Sequence, residues 1–124
     1  MSFGESSEAS ASARLATLLR EGPAVGIHTI VWADSYNSVN RWFERGTIRD
    51  FEYRALFQMS ATDSANLMDS PGASKLGNYL AYLYSEESGQ AERMRPYGIP
   101  DSDFLREFRQ TREKLSRHAE LFQP

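Results

Sequence analysis

The residues best placed for chemistry stand at the end of one apolar run. In GIHTIVWAD, residues 26–34, an almost uninterrupted apolar stretch leads into Asp34, with Ser35 directly after it. A carboxylate at the end of a buried strand is how nucleotide hydrolases present a magnesium ligand. That role needs a partner, a GxxxxGK[ST] loop whose backbone N–H groups, Lys and hydroxyl hold the β- and γ-phosphates. The sequence contains no such loop. Asp34 therefore reads as a strand-end or helix-capping carboxylate.

Other chemistry finds less support. His28 and His118 are far apart and lack a Glu-containing helical pair, so a metal site is not expected. Ser60, Ser64 and Ser70 lack a Gly-x-Ser-x-Gly elbow, which leaves capping and turn formation as their reading. Among the arginines, Arg41, Arg45, Arg49, Arg54, Arg93 and Arg95, Arg54 is the best candidate to reach a phosphate. It begins a buried strand, where a long cation must snorkel or point into an interface.

The elements that must position these groups alternate along the chain. Residues 1–12 are small and polar and read as a flexible lead-in, with Ser10 or Ser12 able to cap the first helix. Leu15, Leu18 and Leu19 give one helical face over 13–21, stopped by Gly22-Pro23. Residues 27–33 suit a central strand covered on both faces, and a second helix is expected over 36–45, ended by Gly46. Residues 53–59 read as a strand, and Ser60 to Asp63 as a capping box opening a helix through Met68.

Pro71-Gly72 closes that helix, and 79–84 forms a further strand. Residues 86–89 are turn material, from which 91–95 returns as an antiparallel edge strand. From Asp101 onward Phe104, Phe108, Leu115, Ala119 and Phe122 mark an amphipathic helix of about 20 residues. This order implies an α/β layer with mostly parallel strands. It opens on a helix rather than a strand, as if cut from something larger.

The totals bound the function. The 124 residues are 40% hydrophobic, 25% charged and 12% aromatic, the balance of one soluble globular domain with a real core. A net charge of −3 argues against non-specific nucleic-acid binding by the whole surface. The chain has no cysteine, so disulfides and thiolate metal sites are excluded. No apolar run approaches the roughly 20 residues that span a bilayer and no signal pattern opens the chain, so a cytoplasmic location without membrane contact is expected.

Four segments in series carry a resemblance: LATLLREGPAVGIH (15–28), RALFQMS (54–60), DSANLMD (63–69) and GASKLG (72–77). Together they resemble the C-terminal part of the FtsK/SpoIIIE ATPase family, over about residues 15–84. The tail MRPYGIPD (94–101) is similar to segments that come after this module in large multi-domain relatives. The resemblance implies a partial RecA-like, P-loop NTPase-type three-layer sandwich over 13–100, followed by the helix at 101–124. It also implies an ATP-dependent motor that moves double-stranded DNA or exports protein, with ATP and Mg in the parent domain and none bound by this chain alone. The implied partners are the remainder of the motor domain, neighbouring subunits in a homo-oligomer, and DNA through the parent assembly.

Within the resemblance, 27–33 corresponds to the strand after the magnesium-binding one, whose end in the family reads Ala-Thr-Gln-Arg-Pro. Here Asp34, Ser35, Tyr36 and Asn37 come after Ala33, so the Gln that senses the γ-phosphate has no amide equivalent, and Ser35 is a poor substitute. Pro23 and Ala65 stand where the family has arginines, while Arg54 matches one that survives. The chain alone is expected not to hydrolyse ATP. Weak catalytic candidates are Asp34, Ser35 and Arg54, and the alternative is a degenerate regulatory or partner-binding module of a tandem ATPase.

Overall fold

A computed structural model describes residues 10–121; of the flexible lead-in expected over 1–12, residues 1–9 lie outside the described residues, as do 122–124 of the helix expected over 101–124. Seven regular elements are arranged in the order α1 (Ala11–Glu21), α2 (Tyr36–Trp42), β1 (Tyr53–Leu56), α3 (Ala61–Met68), β2 (Ala81–Ser85), β3 (Gln90–Met94) and α4 (Ser102–Leu121), with 3-10 turns at Gly22–Val25, Thr47–Asp50 and Pro71–Lys75. The chain is thus mixed α/β.

Local sequence explains most boundaries. Ser10 caps α1 by accepting from the Ala13 N–H at 3.2 Å, so the helix starts two residues earlier than its apolar pattern implies. Gly22 ends it, because a Cβ there would lie 2.8 Å from the Ile27 carbonyl oxygen, and Ile27 donates its own N–H to the Gly22 carbonyl at 2.9 Å. Of the capping box expected at Ser60, the N-cap half is present, with the Ser60 hydroxyl accepting from the Asp63 N–H at 3.1 Å. α2 stops at Trp42 rather than Arg45, since Phe43 turns extended and packs its ring, tilted by 39°, with its centre 5.6 Å from that of Phe51.

The strands form one sheet in the order β1-β2-β3, and both pairings are antiparallel, with Arg54 opposite Tyr84 and Leu83 opposite Glu92. The β2–β3 hairpin is as expected, its turn closed by Gly89 at positive φ. The expected mostly parallel sheet is not formed by the described residues, and neither is a three-layer sandwich. The reason lies in the connection. After α3 the chain makes a 3-10 turn at Pro71–Lys75 and a left-handed step at Tyr79, φ 63°, and enters β2 running against β1.

A second correction concerns 27–33. This segment carries strand-type residues but is not a strand, because it has no ladder partner; among the described residues no backbone–backbone hydrogen bond reaches residues 28–34. The core lies elsewhere, where Leu56, Met68, Ala73, Leu76 and Tyr84 pack together with Met59, Leu67, Leu80 and Tyr82 against them. α1 buries Ala16 and Leu19. Residues 102–120 of α4 are exposed, and no helix among the described residues is long and apolar enough to cross a membrane.

Candidate functional site

Residues 27–36 face residues 50–60 across a cleft of about 870 Å³. One wall is the unpaired apolar segment; the other is β1 with its flanks. Asp34, Ser35 and Arg54 all line it, so the three sequence candidates share one site.

Each is held differently. Ser35 is the N-cap of α2, accepting from the Ser38 N–H at 3.2 Å. Asp34 is exposed and accepts from the Ser38 hydroxyl at 2.6 Å and the Ser35 hydroxyl at 3.3 Å. Those bonds, Ser38 first, hold its carboxyl below the usual carboxylate range, because a hydroxyl donor favours the ionised form. Asp34 is therefore a fixed anion at the mouth of the cleft, tied to the start of a helix.

Arg54 points inward from β1, 9% exposed. Its Nε donates to the Ile48 carbonyl at 3.2 Å, one terminal nitrogen donates to the Leu67 carbonyl at 2.6 Å, and the other pairs with the Glu86 carboxylate. The guanidinium also lies 5.2 Å from the centre of the Tyr84 ring, its cross-strand neighbour. All three nitrogens thus serve the body of the protein. Glu86, read from sequence as turn material, is the residue that sequence reasoning missed; it also accepts from Arg49 at 3.4 Å.

The serines fall into structural positions. Ser64 is fully buried and accepts from the Ala73 N–H at 3.0 Å, and Ser70 caps the 3-10 turn after it. His28 is exposed on the cleft wall, and His118 lies on α4 away from it. Among the described residues no group of three or more His, Cys, Asp or Glu side chains is arranged to hold a metal ion. The Ser35 hydroxyl both caps α2 and donates to Asp34, whose lowered pKa makes it a weak base.

The comparisons add no relative: no family model, no curated protein and no solved structure matches the chain.

Proposed function

We propose that the chain is the C-terminal part of an FtsK/SpoIIIE-like ATP-dependent translocase, supplying sheet and subunit contacts to a motor whose phosphate-binding loop and magnesium site are carried by other residues. The observation that carries this reading is the unpaired state of 28–34, an apolar, β-branched stretch without a single backbone–backbone hydrogen bond among the described residues. Backbone groups of such a segment need partners once it is covered, which fits a strand of a RecA-like sheet separated from its neighbours. The four matched segments and the lack of a phosphate cradle support the same reading.

On this reading ATP and Mg bind in the completed domain, and DNA is reached through the assembly. The test is a phosphate-release assay on the 124-residue chain, where no magnesium-dependent turnover is expected. Turnover abolished by Asp34→Ala would overturn the proposal, as would tight calorimetric binding of ATP to the chain alone. Reading the coding sequence upstream for a GxxxxGK[ST] loop tests the parentage directly.

A second reading is favoured by one observation. Asp34 and Ser35, where the family places its sensor, are bonded to each other and to Ser38 as a helix start. A module so altered acts as a regulatory or partner-binding unit of a tandem ATPase, such as a secretion motor. Deleting it from the parent then changes ATPase rate or assembly; unchanged values count against this role.

A further inference from the structure

We propose that the pocket between the 31–34 segment and α2 is a binding site for a quaternary ammonium group, held by the rings of Trp32 and Trp42 with Asp34 as its counter-ion. The site belongs to this chain whether or not the chain is part of a motor.

The sequence holds two tryptophans, and both line one pocket of about 470 Å³, a size usual for small-ligand sites. Local structure brings them together. Val39 and Trp42 stand three residues apart on α2 and so share one face of the helix. The chain enters α2 through Asp34, whose carboxylate accepts from the Ser38 hydroxyl at 2.6 Å, and this bond ties the incoming segment, with Trp32 on it, to the helix. Phe43, directly after α2, adds a third ring to the lining. Trp32 and Trp42 are both exposed and outside the core. Among the described residues no other ring and no cation is stacked on either indole.

The lining selects the ligand. The face of an aromatic ring attracts a cation, that of indole most strongly. Asp34 adds a full negative charge, because its side-chain donors are neutral hydroxyls that both reach Oδ1, and no Lys or Arg among the described residues pairs with it. An ordinary ammonium or guanidinium brings several N–H donors to walls that are mostly aliphatic and aromatic carbon, and each donor left without an acceptor is costly. A quaternary ammonium has no N–H to satisfy, and its methyl groups pack on those walls. A carboxylate close to the cation, as in a betaine, would be repelled by Asp34.

The test uses the full chain, dilute enough that pairing between copies does not compete, and its own tryptophan fluorescence, which reports on this pocket because both indoles line it. The probes are choline and a short peptide with one trimethylated lysine. The controls are the uncharged analogue of choline, with a tert-butyl group in place of trimethylammonium, and the same peptide unmethylated. A saturable change in emission is expected with choline, with the methylated peptide or with both, and binding weaker by about tenfold or more with each control. Asp34→Asn keeps an acceptor for the Ser38 hydroxyl but removes the charge, and is expected to weaken binding by about tenfold. Trp42→Leu, read through Trp32, is expected to do the same, with the unfolding midpoint unchanged in both variants.

Capture of choline alone supports the site and identifies its ligand as a free cation; capture of the methylated peptide alone supports it and identifies a modified side chain. Equal binding of the uncharged analogue would show a plain apolar patch and overturn the proposal. Full affinity in Asp34→Asn, or no saturable change with either probe, would overturn it as well.

Discussion

Arg54 shows how a residue with a candidate catalytic role becomes a structural centre. It ties β1 to the turn at Ile48, to the end of α3 at Leu67 and to Glu86 after β2, so one side chain closes three connections. Removing one member of such a largely buried pair leaves the other uncompensated. Arg54→Met is expected to lower stability by about 3 kcal/mol in urea denaturation, and adding Glu86→Gln to recover part of the loss. Arg54→Lys is expected to behave like Arg54→Met, since an ammonium cannot span three acceptors in the plane of a guanidinium.

The sequence marks Arg54 as a cation that must point into a body or an interface. It does not mark Glu86 as its partner, because the two are 32 residues apart and only the β1–β2 register unites them. Tyr84, across from Arg54, carries a second consequence at this scale. Burial, then the hydrogen bond to Asp69 at 3.2 Å, holds its phenol above the ordinary value. The unfolded chain ionises first, so this contribution is complete below about pH 10 and is lost as pH rises through the folded pKa. Thermal unfolding followed into the alkaline range should show that decline, and Tyr84→Phe should flatten it.

Among the elements, features that depend on neighbouring residues are readable in the sequence and those that depend on distant ones are not. Ser10 and Ser60 cap the helices they precede, and Ser60→Ala is expected to cost about 1 kcal/mol, checked by denaturant midpoint. The hairpin at β2–β3 comes from its turn residues. Strand direction is not set locally, because a helix between two strands predicts a parallel crossover only if the chain returns to the starting end of the sheet. The left-handed step at Tyr79, 77% exposed with φ 63°, takes it the other way. Tyr79→Gly relieves that backbone strain, and a gain of at most about 1 kcal/mol in the same measurement is expected.

For the whole molecule, composition announces a core of ordinary content, and the core at Leu56, Met68 and Tyr84 is there. It does not announce how much apolar surface stays outside. Ile30 is 96% and Trp32 88% exposed, on a segment whose backbone is also unpaired, and exposed apolar backbone of this kind promotes association between copies. Light scattering at micromolar concentration is expected to give a mass above that of one chain, falling on dilution. α4, exposed over 102–120, is the other surface able to cause this, so two changes separate them. Ile30→Lys with Trp32→Lys should return the protein to monomer while leaving the unfolding midpoint unchanged, because neither side chain is in the core. Removing 101–124 should leave both the number of associated copies and the midpoint nearly as they were. If removing 101–124 disperses the assembly and the lysines do not, the contact belongs to the helix, and the unpaired segment is not what joins the copies.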